Sequence, residues 1–248
     1  MKYPIHRLVE YAKCPQKTAY TIQFNKQYPV LLNELPHLIA ANIIKNLAFT
    51  LSKNAQLGKF LSFKDIQLLA DKAVYGPVDP VDIENKFQEL SVPATNITSL
   101  VYSWYEKCYC KYSYIYSIPN LPLNININSS IDTFIYTDLD LLCCDKKNNI
   151  SLMVFSDTTK KIEQIYNDLY FQILAWMVYK ETHQIPIIEY LTFKNTSVTL
   201  QRVHIGQKYI DKTDMNIKYL CAGLNKNIYF TNVGQECIIC PYKDICSF

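Results

Sequence analysis

The last thirteen residues of the sequence, ECIICPYKDICSF, hold Cys237, Cys240 and Cys246 in a C-x2-C-x5-C spacing. A fourth cysteine, Cys14, lies more than 200 residues upstream in EYAKCPQK. Before it, Leu8, Tyr11 and Ala12 have helical spacing, and the helix breaks at Cys14-Pro15 because the residue before a proline avoids the α region. A cysteine at such a break can aim its sulfur away from the helix. Four thiolates suit a 4Fe–4S cluster or a structural zinc. Zinc sites are usually built from two paired knuckles, so a one-plus-three split over this span favours the iron–sulfur cluster. A group held this way ties the two ends of the sequence together and closes a very long loop.

The other five of the 9 cysteines read differently. Cys108 and Cys110 sit in an aromatic helix-like run, Cys143 and Cys144 in an apolar strand-like run, and Cys221 after IKYL. Each reads as a small buried hydrophobe. An odd count and a start, MKYPIHRLVEYAK, too polar for a signal peptide argue against a disulfide framework. The most apolar helical stretch, YFQILAWMVY, is too short to span a bilayer. These features lead to the expectation of a soluble, cytoplasmic protein. Across 248 residues, 49% are hydrophobic, enough for one sizeable core. The net charge of +3 tolerates an anionic partner without demanding one.

Periodicity gives a coarse plan. Helices are expected at 5–13, 31–53, 63–74, 80–90 and 96–115. The run NININSSIDTFIYTDLDLLCCD reads as strands, with a hairpin turn at 146–149. The nearly all-apolar ISLMVFS at 150–156 reads as a central strand. Residues 161–181 read as the clearest amphipathic helix, with Ile162, Ile165, Leu169, Ile173 and Trp176 on one face. PIIEYLTFKN and SVTLQRVHI read as a strand pair around a turn at Asn195. The order implies a single α/β or α+β domain: a central mixed sheet flanked by helices, with 31–125 as its helical part and 126–210 as its sheet core.

An early Cys-Pro followed by an aromatic, with a closing C-x2-C-x-Y-x3-C, resembles the iron–sulfur nucleases of the RecB-like PD-(D/E)XK superfamily, of the CRISPR-adaptation exonuclease and AddB nuclease-domain type. The resemblance implies a restriction-endonuclease-like core and a 4Fe–4S cluster on Cys14, Cys237, Cys240 and Cys246, with 1–30 and 230–248 forming the cluster subregion. It also implies a Mg²⁺- or Mn²⁺-dependent phosphodiesterase acting on DNA with a free or single-stranded end. Hard oxygen ligands would hold the metal, which lowers the pKa of a water and offsets developing charge.

By position, the family's histidine matches His37 in ELPHLIA, its strand aspartate matches Asp140 in YTDLDLL, and its helix glutamine matches Gln172 in DLYFQILAW. Asp138, two residues from Asp140, shares its strand face. The D/E-x-K on the next strand is degenerate, because SDTTKK follows SLMVF. With Ser156 in the carboxylate position, Thr158 takes the lysine position and both groups are lost. With Asp157 there the carboxylate survives, Thr159 stands where lysine belongs, and Lys160 is the substitute. The expected metal site is therefore His37, Asp140 and Asp157, with Lys160 and Gln172 in support.

Basic residues are spread thinly, from Lys13 and Lys17 through Lys160 and Lys161 to Lys226, while 20 tyrosines could stack on bases. The aromatic run 103–117, interleaved with Lys107 and Lys111, reads first as core. Three functions fit these features: a DNA exonuclease with weakened activity, a catalytically inactive DNA- or partner-binding subunit of the same fold, and a zinc-stapled interaction protein.

Overall fold

Strand β3 (Thr133–Asp145) organises the molecule. The computed structural model describes residues 1–24, 35–56, 62, 64–65, 68–69, 72, 94–112, 114–128, 133–194, 196–234, 237–238 and 240–246, leaving aside the side chains of 35–39, 55–56 and 94–98. Nearly all of the expected helices at 63–74 and 80–90 lies outside these residues.

β3 pairs along its length with the antiparallel β2 (Tyr114–Asn128), from Tyr114↔Asp145 to Asn128↔Thr133. A strand has two edges, so its remaining partners share the other one. There β1 (Lys2–Pro4) pairs in parallel with Phe134–Tyr136, and β4 (Ile150–Ser156) pairs antiparallel with Leu141–Cys144. Between them, residues 137–140 have no ladder partner on that edge among the described residues. β4 then pairs in parallel with β5 (Ile187–Lys194), which forms a hairpin with β6 (Ser197–His204). The result is one mixed six-stranded sheet.

Helices cover both faces. On one face lie α1 (Ile5–Lys13), α5 (Ile162–Asn167), α6 (Leu169–Thr182) and α7 (Gln207–Asn225), whose Leu8, Ile165, Trp176 and Ile217 pack with Leu152, Ile188 and Val203 of the sheet. On the other lie α3 (Leu35–Gln56) and α4 (Ala94–Trp104), whose Ile44, Leu47 and Trp104 pack on Leu141, Met153 and Phe193. A π-helical turn (Tyr105–Cys110) closes α4. α2 (Pro15–Phe24) follows α1 directly.

Several expectations need correction. The helix of α1 ends at Cys14 as expected, but a new one starts at Pro15, because proline's fixed φ suits the first helical position. The helix expected over 161–181 is two: Asp168 leaves the helical region, and its side chain accepts from the Tyr170 N–H to cap α6. The helix expected to 115 gives way to β2 at Tyr114, whose Pro119 and Pro122 mask the strand signal. The 19-residue α7 was not anticipated.

α1 and α7 approach closely at Gly223. A Cβ there would collide with the hydroxyl of Tyr11, a buried ring whose O–H donates to the Ile228 carbonyl. Gly223→Val is therefore expected to lower stability by about 1–3 kcal/mol through overpacking. It should be read as a lower urea midpoint with an unchanged m-value.

Candidate functional sites: a strand fork and a four-cysteine cavity

The gap on the β3 edge makes a fork. The β3–β4 ladder stops at Leu141↔Met153, and the next available donor, the Phe155 N–H, bonds to Asp140 Oδ2 at 3.3 Å instead of to backbone. Asp140 thus stands where the two strands part. Its other oxygen, Oδ1, lies 2.9 Å from Nζ of Lys45, a buried residue of α3. Lys45 also donates to Asn120 Oδ1 at 3.1 Å, and its ammonium lies 5.9 Å from the Phe155 ring centroid. Asn120 belongs to β2 and holds φ at 48°, a left-handed position that asparagine accepts more readily than most residues.

The SDTTKK segment leaves the sheet here. Ser156 closes β4 and shares strand parity with Leu152 and Val154. Its hydroxyl lies 2.7 Å from the Tyr190 hydroxyl and 3.1 Å from that of Thr158. Asp157 falls one residue past the strand and is exposed. Lys160 turns to Asp168, 2.6 Å from its Oδ2, with its ammonium 5.1 Å from the Phe171 ring centroid. Gln172 donates from Nε2 to the Tyr166 carbonyl at 3.0 Å, bridging the break between α5 and α6. His37 belongs to the first turn of α3, and its side chain lies outside the described residues. Asp138 is exposed on β3.

Two residues at the fork were not anticipated. Lys45 could have been found as the one charge on the apolar stripe of α3, four residues after Ala41 and seven after Leu38. Tyr170 is the other. Burial first, then the charges of Asp140 and Asp168, push its phenol up to about 12. It is therefore a neutral hydroxyl at any ordinary pH.

The four cysteines of the sequence pattern do meet. Cys14 caps the start of α2, where the positive end of the helix macrodipole lies. Cys237, Cys240 and Cys246 follow one another through tight turns, with the Cys240 N–H on the Cys237 carbonyl and the Cys246 N–H on that of Tyr242. All four line one cavity with Tyr20, Thr231 and Tyr242. The Cys246 thiol is raised by burial, against a hydrogen bond with Thr231, and raised further by the nearby sulfurs of Cys14, Cys240 and Cys237. Gly234 donates its N–H to Cys237 Sγ at 3.4 Å. Protein contacts hold the same junction: the Gln16 N–H bonds to the Phe230 carbonyl, Tyr20 to that of Ile245, and buried Tyr242 packs on Tyr20 and Phe24. Among the described residues, no group of three or more His, Cys, Asp or Glu side chains is placed to hold a single metal ion.

Part of the aromatic run at 103–117 is core, while Tyr116 is exposed. Trp104, Tyr109 and Tyr114 are buried in the second cluster, and Lys107 donates to the Val198 carbonyl. No described helix is long and apolar enough to cross a membrane.

No protein-family model matches the chain, and no curated protein matches it. The crystal structure of the protein SSO0001 is similar at 12% identity and a TM-score of 0.47, over 99% of this chain and 85% of that one. The crystal structure of a candidate exonuclease from Eubacterium rectale is similar at 12% identity and a TM-score of 0.48, over 99% of this chain and 90% of that one. At that level of likeness the sites have to be read from this chain's own residues.

Proposed function

We propose that this chain is a DNA-binding protein of nuclease-like fold whose hydrolytic site has been converted to a fixed, metal-independent fork. The observation that carries this reading is the ion pair of Asp140 with buried Lys45 at 2.9 Å. An ammonium there supplies the positive charge that a divalent cation would bring. Unlike a bound metal, it cannot polarise a water into a nucleophile near neutral pH. With the D/E-x-K register read from Ser156, hydroxyls of Ser156 and Thr158 stand in for the carboxylate and the lysine, and Lys160 is paired with Asp168. An exonuclease with a surviving Asp157 would need that exposed carboxylate drawn back into the fork.

Cys14, Cys237, Cys240 and Cys246 are the residues that would hold a 4Fe–4S cluster, which would act as a staple between α2 and the closing turns. Their donor set is all thiol, and they surround a shared cavity. The one-plus-three division of these cysteines along the sequence favours the cluster over a zinc built from paired knuckles.

The test uses anaerobically purified protein with end-labelled single- and double-stranded DNA and Mn²⁺, beside Asp140→Ala. Retention of DNA without cleavage by both proteins is the expected result. Cleavage that disappears in Asp140→Ala would overturn the inactive-site reading in favour of the nuclease. The same preparation should be brown and lose its iron in Cys14→Ser; a colourless zinc protein would refute the cluster.

A further inference from the structure

The outer side of α7 carries a stripe that the core does not use. The inner side of this helix buries Ile210, Thr213, Ile217, Cys221 and Leu224. On the outer side Lys208, Lys212, Met215, Tyr219 and Ala222, with Lys226 at the C-cap, recur at i, i+4 and i+7 spacing, so they lie in one line along the helix. All are exposed. Met215 is 54% exposed and Tyr219 76%, the most of any large apolar side chain among the described residues. A single exposed apolar side chain is ordinary, whereas two in line on a helix with cations at both ends form an organised surface.

The stripe is positive at its ends and apolar in its middle. Among the described residues, Lys208, Lys212 and Lys226 enter no ion pair. The acids beside the stripe are engaged already: Asp211 accepts from the Gln207 amide at 2.8 Å, and Asp214 holds Lys180 and Lys218. Lys208 and Lys212 stand four residues apart, a spacing at which like charges destabilise a helix. Carboxylates brought from outside would relieve that repulsion.

The layout of the charges selects among anionic partners. Lys212 and Lys226 stand about 21 Å apart along the helix, at about 1.5 Å per residue. A strand of a nucleic-acid duplex carries a phosphate about every 3.4 Å along its axis, and would run several of them over uncharged Met215 and Tyr219. A helix lying on a membrane keeps its lysines on the face opposite its apolar one, whereas here the two share a line. A protein groove meets both demands. We infer that the outer side of α7 docks a partner protein that offers an apolar groove with carboxylates at its two ends. Tyr219 is the anchor, since tyrosine is among the residues that dominate the interfaces in which they are buried. Met215, an unbranched and adaptable side chain, fits itself to the groove wall. α7 supplies the helix of a helix-in-groove contact while its inner side stays in the core.

Fluorescence anisotropy of a labelled random copolymer of glutamate and tyrosine, titrated with the full chain at low salt, tests this. The copolymer brings carboxylates and apolar rings together. The parent is expected to bind it, and Tyr219→Ser and Lys212→Gln/Lys226→Gln are each expected to bind at least about tenfold more weakly. Lys146→Gln/Lys147→Gln removes the same charge from the exposed β3–β4 turn and should bind as the parent does. Polyglutamate, which lacks the rings, should bind the parent at least about tenfold more weakly than the copolymer does. Because the substituted side chains are exposed, urea midpoints should stay at the parent value, which separates lost docking from lost folding.

No binding of the copolymer by the parent, equal losses in the two lysine doubles, or an affinity that Tyr219→Ser leaves unchanged would overturn the docking face. Oligothymidylate that loses affinity in Lys212→Gln/Lys226→Gln, while the copolymer does not, would make the stripe a nucleic-acid contact instead. Phosphatidylserine vesicles that hold the parent and release Tyr219→Ser, with the copolymer unaffected, would make it a membrane contact.

Discussion

Glu189→Ala is expected to lose about 3 kcal/mol of folding free energy, at the low end of what breaking a buried ion pair costs. Glu189 is fully buried in β5, opposite Arg202 of β6 in the hairpin register. Its Oε1 accepts from the Tyr114 hydroxyl and lies 2.9 Å from Arg202 Nε, close enough for an ion pair though not aligned for a hydrogen bond. The Arg202 guanidinium in turn stacks 3.9 Å over the Tyr112 ring. Truncation strands a buried phenol and a cation that keeps only partial access to water, which sets the cost at the lower end. Glu189→Gln keeps an acceptor and should cost about 1 kcal/mol.

The two variants also carry a pH signature. Burial raises the Glu189 carboxyl, and the Tyr114 hydrogen bond and the Arg202 charge only partly offset it. The folded state therefore holds this proton more tightly than the unfolded chain, whose glutamate titrates near about 4.3. That contribution to stability is complete below the unfolded pKa and is lost as pH rises through the folded one. The Glu189→Gln penalty in urea unfolding should accordingly be larger near pH 4 than at pH 7. A penalty that grows toward pH 7 would mean the pair with Arg202 outweighs desolvation.

Trp176→Ala should cost about 3–5 kcal/mol, the range for emptying a large aromatic site. Trp176 is 2% exposed at the centre of α6, and its Nε1–H donates to Asp214 Oδ1 at 2.9 Å. Asp214 also receives Lys180 at 2.8 Å and Lys218 at 2.6 Å, so one carboxylate of α7 gathers three donors. Burial works against its charge, but the bonds from Lys180, Lys218 and Trp176 prevail and hold the carboxyl down at about 2. The sign is opposite to that of Glu189. The stability it gives is present above the ordinary aspartate value and is lost as pH falls toward about 2. Trp176→Phe, which keeps most of the packing and removes the donor, should shrink the stability lost between about pH 5 and pH 2, measured by denaturant titration against the parent.

The sheet was largely legible because its signals are local. β4 is a nearly all-apolar run, and β5 and β6 are rich in β-branched residues. What failed locally failed for physical reasons. Asp168 sits within an amphipathic pattern, and hydrophobic spacing cannot register that its carboxylate caps a second helix. Pro119 and Pro122 are tolerated in β2 because, among the described residues, that strand pairs only with β3, which leaves its other edge without a ladder. The cysteine pattern predicted a meeting of distant residues, and the four thiols do share a cavity. The fork was harder to see. Asp140 was legible as a strand carboxylate, but its partner came from α3, far away in sequence. Sequence spacing identified Lys160, and a short ion pair to Asp168 holds it elsewhere.

The pairing of β1 with Phe134–Tyr136, and of α1 with α7, has a consequence during synthesis. At about 5–20 residues per second, the ribosome takes roughly 10–40 s after making Ile5, Leu8 and Tyr11 to deliver the helix at 207–225 that covers them. For that interval the face of α1 that meets α7 lacks its cover, although β3, β4 and α6 reach the rest of the helix sooner. Closure of that face is therefore a late step that the order of synthesis imposes on this side of the core.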